Sequence, residues 1–157
     1  MKVSAQEEYG LRCLVCVARH GESTPSITIP DIAEMEGLST SHVAKLLTVL
    51  RRGGYVRSIR GQQGGYVLAV PPEEIQISEV LSLLGGRFFH DRFCDRHAGN
   101  EEHCVHENDC LLRPIWTSVQ SAVDRVLSQV TLADIIEGRL AAPTMTLASQ
   151  PSPLLKR

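Results

Sequence analysis

The chain has 157 residues, 43% of them apolar and only 4% aromatic, with a formal net charge of −2. That length suits one domain with an appended helix, and its core must be mostly aliphatic. No run of about 18 apolar residues occurs, which excludes a transmembrane helix; residues 1–8 are acidic and polar, not a signal peptide, so a cytoplasmic chain away from membranes is expected.

Residues 5–20 are predicted to form a helix. Tyr9, Cys13, Cys16 and Val17 share one face, and Leu11, Leu14, Val15 and Ala18 cover much of the rest. A helix apolar on most sides sits at the centre of a core. Cys13 and Cys16 therefore read as core residues, because free cysteine packs as a small hydrophobe. Residues 21–26 make a turn. A short helix follows, with Thr28 as its cap and Pro30 in its first turn. It carries Ile32, Ala33 and Met35 and ends at Gly37. Ser39 caps the next helix, which runs to residue 52 with Val43, Leu46, Leu47 and Leu50 at helical spacing. Gly53 and Gly54 stop it. Two helices across a tight Gly-Leu-Ser turn make a helix-turn-helix. Strands at 55–59 and 66–70 then flank a glycine-rich tip, the hairpin expected of a wing.

Between Glu36 and Glu73 there is no acidic residue, while Lys45, Arg51, Arg52, Arg57 and Arg60 all lie in that interval. A basic block inside an acidic chain is the electrostatic footprint of a nucleic-acid face. The second helix of a helix-turn-helix enters the major groove with its N-terminal residues at the bases. Here those are Ser39, Thr40, Ser41, His42 and Lys45. Arg60 and Gly61 lie at the wing, where the arginine suits a minor groove. Arg51 and Arg57 suit the phosphate backbone. Double-stranded promoter DNA is the expected partner.

A short helix begins near Ile77, with Ser78 as its cap, and closes at Gly85-Gly86. Residues 87–110 form a polar loop that holds Cys94, Cys104 and Cys110. Nine residues separate the first pair and five the second. The loop is too poor in aliphatic side chains to build a core, so its thiols need another role. Thiols stay reduced in the cytoplasm, which favours ligands or sensors over structural disulfides. A metal centre and a thiol–disulfide switch both remain open on the residues alone. Next comes a long amphipathic stripe: Leu112, Ile115, Trp116, Val119, Val123, Val126, Leu127 and Val130. It spans about five turns, more than a small winged domain uses, and is read as the surface that pairs two subunits. Thr131 caps a last short helix. Residues 140–157 lack periodicity and read as a disordered tail. The expected organisation is a winged helix-turn-helix at 1–86, a cysteine loop at 87–110, a dimerisation helix with a short final helix at 111–139, and the tail. The fold class is mainly α with a small β-hairpin wing. An enzyme is not expected: phosphate loop, dinucleotide fingerprint and triad are all missing, and Cys104 with His106 in a loop is a weak nucleophile signal.

The chain resembles the bacterial iron–sulfur winged-helix transcription regulators typified by the iron–sulfur cluster regulator and the nitric-oxide sensor. The likeness covers roughly residues 1–138. It rests on Asp31-Ile-Ala-Glu, Ser39-Thr-Ser-His-Val-Ala-Lys-Leu-Leu, the segment from Leu50 to Gly61, Gly64-Gly-Tyr-Val-Leu, the three-cysteine loop, Ile115-Trp, and Val130-Thr-Leu. The resemblance implies a homodimer formed through the long helix, and a cluster of 2Fe–2S or 4Fe–4S type on Cys94, Cys104 and Cys110. It implies promoter binding controlled by redox stress, nitric oxide or iron–sulfur status. Two departures stand out. The gap between Cys94 and Cys104 is longer than is common in the family, and Arg113 stands where the cluster regulator has a ligand histidine. The nitric-oxide sensor type instead takes a carboxylate from the first helix of the other subunit, and Glu8 matches it. His103 and His106 are the competing fourth ligands. A zinc-containing regulator and a thiol–disulfide-switched regulator are the alternatives.

Overall fold

Three helices, α1 (Ala5–His20), α2 (Ile29–Glu36) and α3 (Thr40–Arg52), lead into an antiparallel hairpin of β1 (Val56–Ile59) and β2 (Gly65–Leu68). Then follow α4 (Ile77–Leu84), the cysteine segment with one 3-10 turn at Cys94–Arg96, α5 (Arg113–Leu127) and α6 (Leu132–Ile136). This is a computed structural model, and it describes residues 3–20, 26–61, 64–89 and 93–140. Most of the expected turn at 21–26, the glutamines of the wing tip and nearly all of the expected tail lie outside the described residues.

Helix α1 is central, as its all-round apolar pattern requires. Cys13, Leu14, Cys16, Val17 and Ala18 are buried, and they pack with Ile32 and Ala33 of α2, Val43, Leu46, Leu47 and Leu50 of α3, and Val80 and Leu84 of α4. Gly10 lets α4 come close: a Cβ there would lie 2.5 Å from a Leu84 methyl. Leu132 of α6 closes the same core. Helix α2 starts with a capping box, in which Thr28 accepts from the Asp31 amide and Asp31 accepts from the Thr28 amide. It ends at Gly37, whose φ of 65° is the left-handed C-cap that glycine supplies without strain. Ser39 caps α3 through the His42 amide.

In the hairpin Val56 faces Leu68 and Ile59 faces Gly65. Ile27 adds a third segment, exchanging two backbone hydrogen bonds with Tyr66 at 3.1 and 2.7 Å. A Cβ on Gly65 would sit 2.5 Å from the Ile27 carbonyl oxygen, so this register needs glycine. The wing is thereby tied to the strand-like segment ahead of α2.

Two sequence expectations change. Ser78 does not cap α4. The helix opens after Gln76, which makes no side-chain cap bond; Ile77 N–H instead donates to the Val130 carbonyl and Leu132 N–H to that of Ile75. A tertiary bridge has taken over the capping role. Met35 is 63% exposed at the end of α2. Helix α5 is about four turns long and ends at Leu127, so Val130 belongs to the connection into α6. Thr131 does cap α6, in a second capping box with Asp134.

Candidate nucleic-acid interface and cysteine loop

The N-terminus of α3 is displayed to solvent. Ser39, Thr40, Ser41 and Lys45 are exposed, as are Arg51, Arg57, Arg60 and Gly61. The opposite face of α3 is buried through Val43, Leu46, Leu47 and Leu50. Packing therefore fixes which side of the helix is presented, and the basic residues fall on the presented side and the neighbouring wing. His42 differs from its neighbours. It is half-buried, and its ring meets the edge of Tyr9 with centroids 5.5 Å apart. The Arg12 guanidinium lies 5.5 Å from the centre of the same Tyr9 ring. Arg12 in turn donates to the Glu36 carboxylate at 2.8 Å and to the Glu36 carbonyl at 2.7 Å. One turn of α1 thus braces both helices of the helix-turn-helix, a contact that no local pattern in the sequence announces.

The five cysteines are all free thiols. Cys13 and Cys16 are buried on α1, and Cys16 lies 3.9 Å from the Met35 sulfur. Burial pushes the Cys13 thiol up to about 12, with the nearby Glu36 carboxylate adding to the effect. Cys16 moves the same way for the same reasons. Both stay protonated and behave as packing residues.

Cys94, Cys104 and Cys110 are half-buried. Cys94 and Cys104 line one cavity of about 330 Å³, together with Asp95, His103, Glu107 and Arg113. Cys110 lines an adjoining, wider groove. Arg113 and Thr117 form part of both. Arg113 also donates to the Glu107 carbonyl at 2.9 Å, which holds the Cys104–Cys110 arc against the start of α5. Among the described residues no three His, Cys, Asp or Glu side chains converge on one point. Glu8 sits exposed in the first turn of α1, outside the lining of either cavity. His103 shares the Cys94 cavity, whereas His106 is exposed and lies 3.8 Å from Asp109. Three half-buried thiols are the donor type that iron–sulfur clusters take, with space beside Cys94 and Cys104 and with Cys110 in the adjoining groove.

The lead-in to the loop is fastened to α5. Phe88 meets the edge of Trp116 with ring centroids 6.0 Å apart, and the Phe89 amide donates to the Gln120 side chain at 2.9 Å. Gln120 was not singled out from the sequence. The available signal was a polar residue placed four before Asp124 and four after Trp116 within the apolar stripe. That stripe is only partly covered: Leu112, Ile115 and Val126 are 57%, 53% and 55% exposed, its other members are half-buried, and Gln120 is the only buried residue of α5.

No helix among the described residues is long and apolar enough to cross a membrane. Residues 3–138 match the family described as "Rrf2: Iron-dependent Transcriptional regulator". The chain is 36% identical over 145 residues to protein rrf2 of Nitratidesulfovibrio vulgaris, covering 91% of this chain and 92% of that protein. Its fold matches T. potens IscR with a TM-score of 0.68 at 29% identity, over 90% of this chain and 93% of the other. It matches CymR (YrzC), the global cysteine regulator of B. subtilis, with a TM-score of 0.68 at 31% identity, over 88% and 98%. The helix-turn-helix with its two-stranded wing is the architecture of these regulators, and no enzyme is implied. The chain belongs to the Rrf2 family of DNA-binding transcriptional regulators.

Proposed function

We propose that this regulator binds promoter DNA as a homodimer and that an iron–sulfur cluster held by Cys94, Cys104 and Cys110 controls the binding, with Glu8 of the partner subunit as fourth ligand. The observation that carries the reading is the thiol arrangement: three free, half-buried cysteines on the walls of adjoining cavities, in a segment none of whose described residues is buried. When bound, such a group supplies an oxidant-sensitive crosslink between thiolates. The chain's residues do the rest. Arg113 lies between the two thiol sites and offsets their negative charge. Ser39, Thr40, Ser41, His42 and Lys45 address the major groove, Arg51 and Arg57 the phosphates, and Arg60 with Gly61 the groove beside the wing. The partly uncovered stripe of α5, with Leu112, Ile115 and Val126 exposed, supplies the surface for a second copy.

The test is anaerobic purification, followed by iron, sulfide and zinc analysis and a visible spectrum. Iron and sulfide in equal amounts are expected, lost in Cys94→Ala, Cys104→Ala and Cys110→Ala, with altered DNA retention in each. Unchanged visible absorbance in all three variants overturns the cluster. Because His103 shares the cavity with Cys94 and Cys104, a zinc centre is the second reading, and zinc without sulfide would select it.

A further inference from the structure

Gln120 is the one buried polar side chain among the described residues, at 7% exposure. A buried carboxamide is costly unless its groups are paired, and here both sides are. Its Oε1 accepts from the Phe89 amide at 2.9 Å, and its Nε2 donates to Asp124 Oδ1 at 2.7 Å. Arg87 donates to the other Asp124 oxygen. Both loop partners of this network, Arg87 and Phe89, precede Cys94 by a few residues. Phe89 also lines the cavity that holds Cys94 and Cys104 and packs its ring 5.2 Å from that of Phe93. Trp116, Gln120 and Asp124 are spaced by four, so one face of α5 takes the whole lead-in.

The geometry points to Gln120 as a positioning residue that transmits the state of the cysteine loop to α5. It is a buried polar link between the Phe89 wall of the thiol cavity and α5, beside Arg113 and Thr117 of the same helix, which line that cavity directly. A change in how Cys94 and Cys104 are held displaces Phe89. The displaced amide must then either drag the carboxamide with it or leave a buried polar group unpaired, and neither is small in a packed site. Asp124 and Arg87 carry the change along the helix. This inference rests on the reading that the loop holds a cluster and that α5 joins two copies.

Two variants separate transmission from simple packing. Q120L removes both hydrogen bonds. Q120E keeps an acceptor for the Phe89 amide but sets a carboxylate against Asp124. Each full-length chain is loaded anaerobically with iron and sulfide, then stripped with a chelator. Binding is measured in both states to a DNA fragment selected from a random pool by the wild-type protein. Iron content close to wild type is expected, while the loaded-to-stripped affinity ratio moves toward one by about tenfold in both variants. Amide exchange at Phe89 in the stripped protein is expected to rise about tenfold in Q120L and little in Q120E. A wild-type ratio retained in both variants overturns transmission. Unchanged Phe89 exchange in Q120L overturns the clamp itself, without reference to metal. If Q120L does not fold, Q120E decides transmission. A wild-type chain that retains no iron, or has a ratio of one, overturns the cluster reading and transmission with it, while Phe89 exchange still judges the clamp.

Discussion

The DNA reader and the cysteine loop are neighbours in sequence but are held in different ways. The reader has an aliphatic core drawn from α1 to α4, β1 and α6, and each of its early helices is stopped or started by a cap. From Phe93 to Cys110 no residue is buried, and the backbone is secured by a few turn hydrogen bonds such as Arg96 to Phe93 and Glu107 to Cys104. The loop instead borrows its order from α5, through Gln120 and Arg113. The contrast teaches that the reader's shape is intrinsic, while the loop's shape depends on what it touches. A segment of low intrinsic stability is the kind from which switching elements are drawn.

The contrast can be broken at several points. The largest effect is expected in the reader core. Leu47→Ala removes a fully buried side chain and should cost about 2–5 kcal/mol in urea unfolding. Alkaline pH attacks the same core. Cys13 is shifted from an ordinary 9.0 to about 12, so the unfolded chain releases this proton first. The Cys13 contribution to stability should therefore be flat below pH 9 and fall as pH rises toward 12, and Cys13→Ala should flatten that slope. Lys45→Ala should weaken DNA binding by about 1–3 kcal/mol, and Arg57→Ala should lower the slope of log affinity against log salt by about one. Thr131→Ala removes the capping box of α6 and should cost about 1 kcal/mol. The smallest stability effect belongs to the loop. Cys94→Ser should leave the metal-free unfolding midpoint within about 0.5 kcal/mol of wild type, and a larger loss would mean that the loop contributes to the core after all.

How much was legible followed the same divide. Helices α1 to α3 could be read because apolar residues recur at helical spacing, and Thr28, Ser39, Gly37 and Gly53 mark their ends. The wing could be read from its glycines. The Ser78 cap was misplaced because the start of α4 is satisfied by Val130, more than fifty residues away in sequence. In the loop, residue types point to thiol chemistry but not to the arrangement. The irregular spacing does not say that Cys94 and Cys104 share a cavity while Cys110 lines the next one. Gln120 escaped notice because its partners, Phe89 and Asp124, matter only once the lead-in folds back on α5. Tyr9 beside His42 is another such tertiary contact.

The burial of Cys13 and Cys16 has a practical corollary. The five free thiols fall into two accessibility classes, two in the core and three in the loop. An alkylating reagent applied to the native, metal-free protein should count three, and after denaturant it should count five. The two silent thiols are an internal standard. Loop occupancy can be read as the shortfall from three, and loss of fold as the rise above it, in a single titration without a spectroscopic label.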